Sequence, residues 1–251
     1  MNKQALSRRG WLCAATLVAF FCARESAAQE CVDTNLVLAF DASGSIDEEE
    51  WILQVEGSAD AFLDPEVLRS IVSGPCGAIA VAMVRWAGPG IQRQEIALTR
   101  IDSAASAHLF AEALRAVPFE WLAGTSISGA INFSLDLLES APFRAGRQII
   151  DISGDGFDMG NTEELNLNAQ RERAAYRGVT INGLAIVNGR APPHYPPGSN
   201  AGAVEGLRNL ELGRYYTQRV MAGPRCFVEV ALGFEDFARA FRKKLLRELL
   251  M

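Results

Sequence analysis

Short apolar runs of strand length recur along this chain, and what separates them constrains its fold. Leu36 to Phe40 is apolar throughout, as expected for a strand covered on both faces. Ala78 to Trp86, Arg147 to Ser153, Val179 to Val187 and Phe227 to Leu232 are read as further strands. The intervening segments change to helical spacing. From Glu48 to Leu68, apolar residues fall at Trp51, Ile52, Val55, Ala59, Phe62 and Leu63 behind an acidic start that suits a helix N-terminus. Ser103 can cap a helix running to Val117, and further helices are predicted through Leu138, around Glu163 to Arg177, over Ala203 to Tyr216 and from Phe234 to Leu250. Gly88-Pro89-Gly90 is too short for a crossover, so the strand near Gln94 to Leu98 should pair antiparallel with its predecessor. The expected fold class is α/β: a Rossmann-like three-layer sandwich with a mostly parallel central sheet, one antiparallel edge strand and helices on both faces.

The 251 residues divide into a leader and one domain. Lys3, Arg8 and Arg9, then the apolar run Trp11 to Cys22, then Ser26-Ala27-Ala28, have the order of an export signal. Ser7-Arg8-Arg9-Gly10-Trp11-Leu12 also resembles a twin-arginine signal, and an ordinary secretory signal fits the same residues. Residues 1–28 are therefore expected to be removed and 29–251 to form a single domain in the periplasm or outside the cell. Net charge is −6, and losing a leader with four basic residues and one acid makes it more negative. An acidic surface argues against nucleic acid and anionic lipid, and no later segment reads as a membrane span. Export permits a disulfide among Cys31, Cys76 and Cys226. Cys31 with Cys76 is the first choice if their strands are neighbours, and free buried thiols are the alternative.

Ligands of such sheets bind beyond the carboxyl ends of the strands, which directs attention to Phe40-Asp41-Ala42-Ser43-Gly44-Ser45-Ile46-Asp47. Alternate residues leaving a strand point the same way, so Asp41, Ser43 and Ser45 can offer three hard oxygens to one small volume. Thr125 enters a helix and Asp155 follows another strand, so both can reach the same rim. Each also has an ordinary reading. Ser45 or Asp47 can cap the next helix, with Glu50 closing a capping box; Thr125 can cap its own; Asp155 between glycines suits a tight turn. His108 is read as a surface or boundary residue. His194 and Tyr195 lie in the Pro- and Gly-rich loop Asn188 to Gly202, with no site role assigned.

Asp41-x-Ser43-x-Ser45 with the later Thr125 and Asp155 resembles the metal-ion-dependent adhesion site of von Willebrand factor A domains. Trp86-Ala87-Gly88-Pro89-Gly90, Gly124-Thr125-Ser126-Ile127, Ile150 to Gly156 and Thr180-Ile181-Asn182-Gly183 are more specifically similar to an exported bacterial family, Domain of Unknown Function 1194. The broader resemblance implies that Asp41, Ser43, Ser45, Thr125 and Asp155 surround Mg2+ or Mn2+, with Ca2+ less favoured. It also implies a coordination position left for an acidic residue of a protein or peptide partner. Two carboxylates and three neutral hydroxyls leave such an ion electrophilic, and the absence of His and Cys from the set disfavours zinc. Asp47 and Asp158 are near in sequence and can adjust the site, with outward solvated carboxylates the favoured reading. Trp121 and Phe119 can form an apolar rim or pack inside. An enzyme is the rival reading: a Mg-dependent hydrolase or phosphotransferase using Asp41. However, Ser43 stands where a haloacid-dehalogenase-like site has its second Asp, and no Gly-x-Ser-x-Gly elbow is present. A metal-free interaction domain is the third.

Overall fold

A computed structural model describes residues 29–160, 166–188, 199–200, 204 and 209–251. The expected leader 1–28, most of the loop containing His194 and Tyr195, and the starts of the helices expected near Glu163 and Ala203 lie outside the described residues. The elements run β1 (Cys31–Asp41), α1 (Glu48–Leu63), α2 (Pro65–Val72), β2 (Ile79–Trp86), β3 (Gln92–Ile101), α3 (Ala104–Arg115), α4 (Ile127–Glu139) and β4 (Arg144–Gly154). They continue with α5 (Leu167–Tyr176), β5 (Thr180–Ile186), α6 (Leu212–Tyr215) leading into a π-helical turn (Tyr216–Val220), β6 (Val228–Ala231) and α7 (Phe237–Leu250). The six strands lie in the order β3-β2-β1-β4-β5-β6. β3 is antiparallel to β2 and the remaining pairings are parallel.

Strand alternation sorts the core into two layers. Leu36, Leu38 and Phe40 of β1, with Ile149 of β4 and Leu184 and Ile186 of β5, face α1, α3 and α7. Phe40 there meets the rings of Phe237 and Phe241 edge-on at 6.2 and 6.0 Å. Val37 and Ala39 of β1, with Ile150 and Ile152 of β4 and Ile181 and Ala185 of β5, face α4, α5 and the π-helical turn. Asp41 continues the second row and Asp151 the first. Period two therefore sends the acid ending β1 and the acid inside β4 to opposite sides of the sheet.

The single helix expected from Glu48 to Leu68 is two. Pro65 cannot donate to a continuing helix, and Asp64 caps the new one, its Oδ1 accepting the amides of Glu66 at 2.8 Å and Val67 at 3.2 Å. β1 begins five residues before its apolar run because its amino half is paired on both sides. That pairing brings Cys31 and Cys76 together as a disulfide at the amino end of the sheet, and Cys226 is free.

Candidate metal centre

The loop after β1 is built by its own short polar side chains. Asp41 Oδ1 accepts the amide of Ser43 at 2.8 Å, which folds the chain back over the strand end. Ser43 Oγ lies 3.1 Å from Ser45 Oγ, and the Ser45 hydroxyl donates to Asp155 Oδ1 at 2.6 Å. One chain of polar atoms thus runs from the end of β1 to the end of β4. Asp47 completes the capping box of α1 with Glu50, so its carboxylate is used there.

Thr125 arrives by a different route. Gly124 adopts φ +79°, and a Cβ on it would lie 3.1 Å from Gly88 Cα; the Gly88 amide donates to Ala123 O at 3.0 Å. The loop before α4 is therefore pressed backbone to backbone against the exit of β2. The Ser126 amide donates to Ala87 O at 2.8 Å, and Ser126 rather than Thr125 caps α4, its Oγ accepting the amide of Gly129 at 3.1 Å. Among the described residues the Thr125 hydroxyl has no hydrogen-bond partner. Its Cγ2 is 3.1 Å and its Oγ1 3.6 Å from where a Cβ on Gly156 would stand, beside the loop that carries Asp155. Asp158 is not simply solvated: its Oδ1 accepts both the amide and the hydroxyl of Ser128 at 3.1 Å.

The two acids sit in a site short of positive charge. Asp41 and Asp155 are both buried, and among the described residues neither pairs with a lysine or arginine. Burial, then the facing charge of Asp155, pushes the Asp41 carboxyl well above its usual range. Burial raises Asp155 to about 6, against the opposing pull of the Ser45 hydroxyl. Asp41 Oδ2 is buried without a hydrogen-bond partner. Facing carboxylates, one orphaned oxygen and two adjacent serine hydroxyls are the donor chemistry of a hard divalent cation. Among the described residues there is no group of three or more His, Cys, Asp or Glu that could hold a metal by those side chains alone.

Tyr216, Arg85 and Asn209 also shape the site and carried no sequence signal. A Cβ on Gly154 would stand 2.7 Å from Asp41 Oδ2 and 2.9 Å from Tyr216 Oη, and one on Gly183 would stand 2.7 Å from Tyr216 Cδ1. The two glycines, on adjacent strands of one sheet face, form a slot for the buried Tyr216 ring, whose hydroxyl also lacks a partner. Arg85, 1% exposed, donates to Pro118 O at 2.6 Å and pairs with Glu95 at 2.9 Å, tethering the loop that precedes Thr125. Asn209 Nδ2 donates to Asp155 O at 2.8 Å. Of the two aromatic rim candidates, Phe119 packs on the core, whereas Trp121 is 60% exposed with its ring beside Gly44.

Known structures share this architecture. The von Willebrand factor type A protein from Catenulispora acidiphila matches with a TM-score of 0.53 at 16% identity, over 87% of this chain and 43% of that one. Proximal thread matrix protein 1 from the mussel byssus, with a zinc-occupied MIDAS motif, matches with a TM-score of 0.55 at 16% identity, over 87% and 46%. The pilus adhesin SpaC from Lactobacillus rhamnosus GG matches with a TM-score of 0.54 at 15% identity, over 88% and 31%. This chain spans less than half the length of each, and at these identities the likeness concerns the fold. No curated protein matches the chain. Residues 30–251 match the family described as protein of unknown function DUF1194, so the chain, with its von Willebrand factor A-like fold, belongs to DUF1194.

Proposed function

We propose that this protein is an exported, non-enzymatic binding module whose divalent cation, Mg2+ or Mn2+, is held by Asp41, Ser43, Ser45, Thr125 and Asp155 and receives a carboxylate from a protein or peptide partner. The observation that carries the reading is the pair of buried acids, Asp41 and Asp155, joined through Ser45 and without a lysine or arginine partner among the described residues. Bound there, the ion would supply a Lewis-acidic centre with affinity for an outside acid. The chain's own part is positional. The turn after β1 holds the two serines, the Gly88–Gly124 contact holds Thr125, and the end of β4 holds Asp155. Trp121 adds an exposed apolar face beside Gly44 for whatever flanks the incoming acid. The disulfide suits an oxidising compartment, in keeping with export.

Isothermal titration of Mg2+ into the mature protein tests the reading against Asp41→Ala. Saturable binding by the parent and none by the variant is expected. Without metal the variant should melt no lower than the parent, because it loses a buried, partly unpartnered acid. Equal titration of both proteins defeats the assignment. Asp41-dependent hydrolysis of phosphate esters in Mg2+ would favour the enzyme reading instead.

A further inference from the structure

Away from the candidate metal centre, on the α7 side of the sheet, three ionisable side chains are sealed in the core together. Lys244 of α7 and Asp151 of β4 are completely buried, and Glu248, one helical turn beyond Lys244, is 2% exposed. Lys244 Nζ donates to Glu248 Oε1 at 2.6 Å and also touches Asp151 Oδ2. The two contacts differ in kind. Glu248 Oε1 is held in place by a second donor, Asn182 Nδ2 at 2.9 Å, whereas Asp151 Oδ2 takes its contact from Nζ. Asp151 Oδ1 accepts the Ser153 hydroxyl at 3.4 Å, and the Phe227 ring centroid lies 6.0 Å from Nζ.

From this geometry we infer that Lys244 and Asp151 condense spontaneously to an amide, an intramolecular isopeptide cross-link, with Glu248 as the proton carrier. An amine held against both a carboxyl group and a second acid, all three buried, needs little further organisation for acyl transfer. The ammonium–carboxylate pair and the amine–acid pair hold the same protons; burial opposes the Lys244 charge that Asp151 and Glu248 sustain, and one proton passed from Nζ to the Asp151 carboxyl it touches frees the amine. Burial likewise lifts Glu248 to about 7, against the pull of Lys244, which leaves it able to give and take a proton near neutrality. The free amine of Lys244 adds to Cγ of Asp151, and the charge gathering on Oδ1 faces the Ser153 hydroxyl. Glu248 passes its proton to Oδ2, which departs as water when the C–Oδ2 bond breaks, and recovers a proton from the nitrogen. One C–N bond is formed, one water is released, and no oxidant or other reactant is consumed.

The link would tie the last helix to β4 beside the centre of the sheet, so that α7 could not slide along it. It is independent of the metal reading.

Mass spectrometry of the purified, reduced protein tests it directly. The intact chain is expected to be lighter than its sequence by about 18 Da, one water, and a tryptic digest to contain a branched peptide joining the Asp151 segment to the Lys244 segment. Glu248→Gln, which keeps the side chain's size, should show the full mass with both residues unmodified. A parent protein of full mass, or a branch at Glu248 instead of Asp151, overturns the inference. Complete cross-linking in Glu248→Gln overturns the role given to Glu248.

Discussion

At the scale of single residues, Asp155 and Tyr216 carry the sharpest consequences. Burial raises Asp155 to about 6, from a usual value near 4, so the metal-free native state binds its proton more tightly than the unfolded chain does. That contribution favours folding below about pH 4 and is lost as the pH climbs through about 6. With chelator present, Asp155→Asn should therefore gain stability over the parent between pH 4 and 7, by up to about 3 kcal/mol. Thermal unfolding across that window checks it, and a difference independent of pH contradicts it. A cation competes with the same proton, so Mg2+ affinity should rise over the same interval. Tyr216 Oη and Asp41 Oδ2 are two buried, unpartnered atoms around one point over Gly154. An Asp41 kept ionised by a cation gives the phenol an acceptor. Tyr216→Phe should thus weaken Mg2+ binding about tenfold in calorimetry while leaving the metal-free melting temperature unchanged or higher.

At the scale of elements, the site depends on how separate segments are tied together. The loop before α4 packs Phe119 and Leu122 on the core and is also held by Arg85, whose guanidinium lies 4.8 Å from the Trp51 ring centroid as well as against Pro118 O. On the far side of the sheet α7 is held by Lys244. Burial opposes its charge, but Asp151 and Glu248 more than offset this and raise it above the usual lysine value. Lys244→Met, which also removes the amine the cross-link needs, leaves two carboxylates in the core with neither cation nor amide between them, and should lower stability by about 3–5 kcal/mol in urea denaturation. A loss below about 1 kcal/mol would show that the sheet and helix can reorganise around the acids.

For the molecule as a whole, the candidate ligands and the disulfide occupy opposite ends. The candidate ligands gather at the carboxyl ends of β1 and β4, and the Cys31–Cys76 disulfide joins residues 45 apart at the amino end. Closing a loop of that length restricts the unfolded chain. Replacing both cysteines with alanine should cost about 2–4 kcal/mol and leave the Mg2+ titration of the folded protein unaltered. A change in metal affinity would reveal a coupling across the sheet that the separation of the two ends does not suggest. The outer strands are defended in different ways: β6 is four residues long, and β3 carries Arg93, Glu95 and Arg100.

Much of this was legible before any coordinates, because it depends on local spacing. Period-two and period-3.6 patterns identified the alternating strands and helices, the short Gly88-Pro89-Gly90 turn required the antiparallel edge, and Asp41, Ser43 and Ser45 declared themselves by alternation after a strand. Helix boundaries were less legible: Pro65 divides a helix that apolar spacing alone carries through. What tertiary structure decided were meetings between residues distant in the chain. Lys244 with Asp151, Tyr216 with Asp41 and Arg85 with Pro118 depend on which strands are neighbours and which face each side chain takes, and no local pattern encodes a contact across the sheet. Whether a buried charge is paired or orphaned follows only from those meetings, which is why the electrostatics of both clusters emerged with the fold.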